Sequence, residues 1–416
     1  MPGNDESLRR PWQDWRVEPV SKQRAALVIS YSVIATDPRV RREIDWLHAA
    51  GWTVDTLGLG ELSDERVRTH FAITDLSGAA TTRVGQLFIH LVLTARRRFS
   101  TLALKRVPAS VVQQLAAHAY DAIVFNEYEF VPWVTDHRLF DPSRSHLHLD
   151  LHEYHEPRLQ ARTRWARLTG GYYRWVRKHI GSPQFASRST VARGIADLYE
   201  REFGFDKMSL VRNAPPYVEQ APSPVDPSRV RLLFHGMASW ARGFTQIIDA
   251  FEGLDERYSM SFMLTQPQHN IDRLRALIEE RGLAERVRIV PPSPMREISQ
   301  RINEYDLEIV FYPSTTTNVR LALPNKIFEA IQGRLGLVVG HSPMLEEIVV
   351  AHGNGVVVDG WTGADLRDAL NSLTPERVAH LKEASARAAQ QLNAENEGVT
   401  FLAALGITSG PSDIAR

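Results

Sequence analysis

Lys326 and Glu329 lie three residues apart in Leu323-Pro324-Asn325-Lys326-Ile327-Phe328-Glu329-Ala330-Ile331-Gln332-Gly333, a cation and a carboxylate spaced to share one face of a helix. Ile327, Phe328 and Ile331 share another face and suit packing on a sheet. Pro324 suits a first turn, where a missing N–H costs nothing. The segment follows an apolar run (Leu307, Ile309, Val310, Phe311, Tyr312) and a polar loop, so the helix should start beyond a strand end. Its free N–H groups and positive dipole end favour an anion. Cation, carboxylate and helix end together would hold a phosphorylated nucleoside, with charge for the diphosphate and Glu329 for ribose hydroxyls. The alternative is an amphipathic helix whose Lys and Glu are merely solvated.

A second candidate is Leu232-Leu233-Phe234-His235-Gly236-Met237-Ala238-Ser239-Trp240-Ala241-Arg242-Gly243-Phe244. A strand entering a Gly-containing loop, then Arg-Gly at a helix start, can cradle phosphate. Gly236 admits a ligand to the backbone and Arg242 supplies fixed charge. Strand–Gly–helix turns are also common as purely structural features. In the first half, Asp150-Leu151-His152-Glu153-Tyr154-His155-Glu156-Pro157 puts titratable groups just past a strand, where ligands of open α/β sheets sit. His152 is the candidate there to bind or act on substrate, with Glu153 and His155 beside it. A metal site is not expected, because a strand running into Pro157 does not gather these side chains on one face. Glu127, after another strand, could reach the same edge. Asp37-Pro38-Arg39 opens a helix near these loops, with Asp37 as cap and Arg39 as a charge.

The elements that would position these groups alternate. Strands are expected at 25–30, 53–57, 122–125, 147–151, 184–186 and 210–212, with a helix at 39–50 and long basic helices at 84–105 and 158–179. After a Pro-rich stretch the alternation restarts, with strands at 231–235, 260–264, 287–290, 307–312, 337–340 and 356–358. Helices are expected at 243–251, 272–281, 295–303, 325–332 and 344–351, then to about 405. This is the pattern of an α/β chain with two tandem Rossmann-like, doubly wound domains. The expected division is a polar extension at 1–24, a first domain at 25–213, a Pro-rich linker at 214–228 and a second domain at 229–390. A terminal helix and tail at 391–416 could cross back to the first domain.

At 416 residues the chain exceeds one ordinary core. Its 49 basic and 49 acidic side chains balance, against a bulk nucleic-acid binder. The absence of cysteine excludes disulfides and thiolate chemistry. Residues 1–24 lack an apolar core of signal-peptide length, and no window is apolar enough to span a membrane, so a cytoplasmic protein is expected. Charge is uneven: no carboxylate separates Asp75 from Asp121, or Glu156 from Asp197, while arginines and lysines cluster in both intervals. Interleaved aromatics (Trp165, Tyr172, Tyr173, Trp175) and the apolar–basic run 87–104 fit a peripheral contact with the inner face of a membrane or a grip on a lipid phosphate. A solvated basic face is the alternative.

In their order along the chain these motifs resemble the retaining nucleotide-sugar glycosyltransferases of the two-Rossmann GT-B type, close to the large family-4 group. The resemblance runs from Ala25 to about Gln390. It rests on Ile34-Ala35-Thr36-Asp37-Pro38-Arg39-Val40 with Arg42-Glu43, on Asp150-Leu151-His152-Glu153, on Asn213-Ala214-Pro215, on His235-Gly236 with Arg242-Gly243, and on the Pro-Asn-Lys-x-x-Glu donor helix. It implies a deep interdomain cleft, a UDP-, GDP- or dTDP-linked sugar as co-substrate, no other cofactor and no metal. The implied acceptor is a saccharide, a lipid-linked molecule or a small molecule, and the reaction is hexosyl or other glycosyl transfer with retention. Glu329 would hold the donor ribose, and Arg242 and Lys326 the diphosphate. Gly236, Asn325, Leu321 and Ala322 would complete the donor side, with His152 beside the transferred sugar. The sequence departs from the family at Leu321, where many members carry a second Glu, at Met237 in place of an Arg, and at Thr265-Gln266-Pro267, which lacks a glycine. A nucleotide-sugar epimerase of similar fold and a non-catalytic partner of the same fold are the rival readings.

Overall fold

The computed structural model describes residues 23–73, 107–136, 138–156, 171, 174–313 and 316–407. The expected basic helix at 84–105, most of the one at 158–179, the aromatics Trp165, Tyr172 and Tyr173, and nearly all of the 1–24 extension lie outside these residues. Among the described residues, no helix is long and apolar enough to cross a membrane.

The strands form two all-parallel sheets. The first runs β3-β2-β1-β4-β5-β6-β7, from β1 (Ala25–Ser30), β2 (Thr53–Leu59), β3 (Val67–Ile73), β4 (Ala122–Asn126), β5 (His146–Leu151), β6 (Ser187–Thr190) and β7 (Ser209–Leu210). The second runs β10-β9-β8-β11-β12-β13, from β8 (Val230–Met237), β9 (Tyr258–Thr265), β10 (Val287–Val290), β11 (Leu307–Val310), β12 (Gly336–Gly340) and β13 (Gly355–Val358). The apolar runs of β1, β4, β5, β11 and β12 are buried almost throughout, as strands covered on both faces require. Strand order reverses between β1 and β4 and between β8 and β11, so each domain opens a crevice beyond those carboxyl ends.

Two strands depart from expectation. The one placed at 184–186 is β6, starting at Ser187, because its residues are polar: Ser187 and Ser189 serve imidazoles of β5, with His148 Nε2 2.8 Å from Ser189 Oγ. An apolar-run criterion slides onto Phe185, which is a core anchor just ahead of the strand. β3 was not anticipated, being a half-exposed edge. The 295–303 helix is broken into a single α-turn, Ile298–Arg301, between two 3-10 turns.

The helices that matter below are α1 (Pro38–Ala49), α2 (Arg193–Phe203), α3 (Phe244–Ala250), α4 (Thr317–Leu321), α5 (Asn325–Gln332), α6 (Pro343–His352), α7 (Pro375–Ala389) and α8 (Ala394–Ala404). The linker has no helix or strand and is pinned to the second domain, where Arg334 donates to the carbonyls of Gln220 and Val218 and Gln332 accepts from the Val218 N–H. After α7 the chain returns to the first domain. There the ring of Phe401 of α8 packs at a tilt on Trp46, centroids 5.3 Å apart, and Glu397 accepts from Arg212 at 3.1 Å.

Candidate active site

β8 delivers the chain into the crevice of the second domain at Gly236, whose φ of +120° favours glycine. The loop closes at Gly243, where φ is +80° and a Cβ would stand 1.9 Å from the Phe311 carbonyl oxygen. Only glycine lets this turn lie against the end of β11, and Arg242 is thereby fixed beside Gly236, its Nη1 3.5 Å from where a Gly236 Cβ would be.

α5 approaches from the other side. Ile327, Phe328 and Ile331 are fully buried beneath it, and Pro324 serves as its N-cap rather than as a first-turn residue, with no side chain capping the free N–H groups. This orientation carries Lys326 and Glu329 into a cavity of about 370 Å³, lined also by His235, Gly236, Arg242, Pro292, Ser293, Met295, Pro324 and Asn325. The ammonium of Lys326 is buried, lies 3.5 Å from the centre of the Phe234 ring and has no hydrogen-bond partner. Burial pushes its pKa down, the Arg242 charge adds to that, and Glu308 and Glu329 offset only part, leaving it at about 7. Glu329 accepts from His235 Nε2 at 2.9 Å. Burial alone would raise its pKa, but His235, Arg42 and Lys326 together hold it below the usual carboxylate range.

The first domain presents a different cluster. His152 Nε2 lies 2.9 Å from Asp150 Oδ2 and 3.0 Å from Asn126 Oδ1, and the His152 N–H donates to Glu127 at 2.8 Å. Burial disfavours its charged form, yet Asp150 and Glu127 outweigh that and lift its pKa to about 9. Glu127 also pairs with His155 and has a φ of +66°, unusual for a side-chain-bearing residue and a mark of a tightly determined turn. Glu153 is exposed and accepts from Asn318 Nδ2 of α4 at 3.4 Å, while Asn318 Oδ1 accepts the Tyr154 N–H at 2.8 Å. The crevice is thus bridged by hydrogen bonds between the domains.

Not every candidate faces the crevice. Arg39 does not line the cavity: its guanidinium is buried against Asp150 and donates to the carbonyls of Val211 and Arg212, so it ties α1 to β5 and the domain exit. Asp37 caps α1 by accepting the Arg39 and Val40 N–H groups. Leu321 and Ala322 do not line the cavity; Leu321 is apolar and buried, packing its Cδ2 against Gly194 of α2. Glu43, Asp150 and His152 bring potential ligand atoms within 4.8 Å of one another, but Arg39 sits among them as counter-cation, 2.8 Å from Asp150 and 3.6 Å from Glu43. Burial and the Asp150 charge push the Glu43 carboxyl well above its usual range, whereas Arg39 and His152 overcome burial to hold Asp150 well below.

Three site residues were not singled out from the sequence. His235 stood in a motif without a role. Glu308 carried a signal, since a carboxylate inside an apolar strand must find a partner. Arg42 of α1 lies close enough to Glu329 for each charge to act on the other across the crevice, and its Nε is buried without a partner.

No curated protein matches this chain in sequence. Among solved structures, sucrose-phosphate synthase from Thermosynechococcus elongatus superposes with a TM-score of 0.65 at 16% identity, covering 91% of this chain and 97% of that one. A glycosyltransferase from Rickettsia africae gives 0.64 at 11% identity, covering 92% and 98%, and HepE of Anabaena in complex with UDP gives 0.65 at 14%, covering 92% and 100%. Over the more than nine-tenths of the chain that superposes, the fold is GT-B, and residues 219–391 match the family model described as glycosyl transferases group 1.

Proposed function

We propose that this protein transfers a glycosyl group from a nucleoside-diphosphate sugar to an acceptor hydroxyl, with retention at the anomeric carbon. The observation that carries the reading is Lys326, a buried ammonium without an acceptor, set beside Arg242 at the uncapped start of α5. A buried charge without a partner is costly, and a diphosphate would satisfy it. The family match over 219–391 and the UDP and glucose carried by HepE support the same reading.

In this reading the diphosphate lies against Lys326, Arg242 and the free N–H groups of α5, with Glu329 on the ribose hydroxyls. Cleavage of the sugar–phosphate bond builds negative charge on the departing oxygen. Donors fixed there in advance stabilise that charge more than they stabilise the ground state. The acceptor enters on the leaving-group face, and its proton passes to the departing phosphate, so no separate carboxylate base is needed. His152, charged near neutral pH and held by Asp150 and Asn126, is the first-domain residue for the transferred sugar.

The test is thermal denaturation with UDP, GDP, dTDP and ADP, for the wild type and Glu329→Ala. One nucleotide should raise the wild-type melting temperature and shift the variant far less. No shift with any of them would overturn the reading. Anomer analysis of the product then tests retention, and an inverted product would sink it.

A further inference from the structure

His235 and Glu308 lie on β8 and β11, the two strands that flank the reversal of sheet order, and both are buried. Glu308 Oε2 is 3.0 Å from His235 Nδ1, and its Oε1 accepts the backbone N–H of His235 at 3.3 Å. The other ring nitrogen faces Glu329 Oε2 at 2.9 Å. The Nδ1 contact is an ion pair outside hydrogen-bond geometry, so Glu308 holds the ring by charge and through the backbone N–H, while Nε2 carries the proton that Glu329 accepts. The two carboxylates overcome burial and raise its pKa to about 9. Lys326 and, from the first domain, Arg42 act on the Glu329 carboxylate, and Arg242 lines the same cavity. With Oε2 engaged, Glu329 has a fixed rotamer and keeps Oε1 for a ligand.

On the nucleotide-sugar reading, we propose that His235 is a positioning residue that aims Glu329 at the ribose hydroxyls, with Glu308 orienting the ring. Nothing in the backbone demands a histidine at this point of β8, and an apolar pair would fill the space without a buried carboxylate. The arrangement instead gives Glu329 one donor from below and leaves one oxygen for the ligand above. A carboxylate held this way discriminates for hydroxyls, because the fixed acceptor is left unpaired when they are missing.

The test is calorimetric titration of UDP, GDP and ADP, each against its 2′-deoxy form. The wild type should bind one ribonucleotide roughly ten- to a hundredfold more tightly than its deoxy form, the worth of a hydrogen bond to a charged group. His235→Asn, which has no group at the Nε2 position, should bring that ratio close to one. His235→Gln, whose amide nitrogen can take that position, should restore most of it. Glu308→Gln, which keeps the packing, should lower the ratio too and serves if His235→Asn does not fold. An unchanged ratio in His235→Asn, or no rescue by His235→Gln, overturns the proposal. So does a wild type that binds the ribo and deoxy forms alike, although nucleotide binding then survives. A wild type that binds dTDP, whose sugar lacks the 2′ hydroxyl, but none of these three also overturns the proposal alone, and one that binds none of the four diphosphates removes the underlying reading with it.

Discussion

On the first-domain wall of the crevice the guanidinium of Arg39 is gripped by Asp150 and two backbone carbonyls, while on the second-domain wall the ammonium of Lys326 is as deeply buried and meets no acceptor. Both walls stand at the carboxyl ends of parallel strands, and both carry a histidine between acidic groups. In the first the charges answer one another, and the cluster holds α1, β5 and the domain exit together. In the second a cation is left over, and the surplus faces a cavity. On the proposed reading, incomplete pairing marks the diphosphate side of the crevice better than position at a sheet edge does.

The comparison can be broken most directly at Arg39. Arg39→Met would leave Asp150 and Glu43 buried without their cation, and loss of one partner of a buried pair costs about 3–5 kcal/mol. Denaturant unfolding should show a destabilisation of that order, and unchanged stability would mean that the first wall is not the structural one. Lys326→Met should act the other way. Removing a hydrogen bond made to charge in the transition state costs about 1.5–3 kcal/mol, or roughly a ten- to hundredfold lower turnover. Removing an unpaired buried charge should meanwhile leave the melting temperature unchanged or higher. Loss of stability together with activity would show that Lys326 belongs to the scaffold.

The smallest effect sharpens the contrast. Free Lys326 titrates at about 7, and a bound diphosphate favours its charged form, so above that pH the complex holds more protons than the free protein. Nucleotide affinity should fall as pH rises beyond about 7. Calorimetry at about pH 8 in two buffers of different ionisation enthalpy should show proton uptake. Uptake absent in the wild type, or persisting in Lys326→Met, would assign the proton elsewhere.

How far the sequence could be read follows the same division. Apolar β1, β4 and β12 and the amphipathic α5 were legible because burial writes itself as hydrophobicity. Polar β6 was displaced by a few residues, since its serines are there for the imidazoles of β5. Lys326 and Glu329 could be placed on one helix face from spacing alone. The contact between Glu329 and His235 could not, because it joins residues far apart in the chain. Arg39 was misread for that reason as well: a charge near a loop looks available until the strand that neutralises it is in place.

The return of α8 has a practical consequence. Trp46 and His148 of the first domain pack on Phe401, and Gly398 lies so close to Trp46 that a Cβ there would meet its ring at 2.6 Å. No single cut can release the amino-terminal half intact. Expressed alone it would present a sticky apolar scar, whereas supplying the tail peptide in trans should mend it.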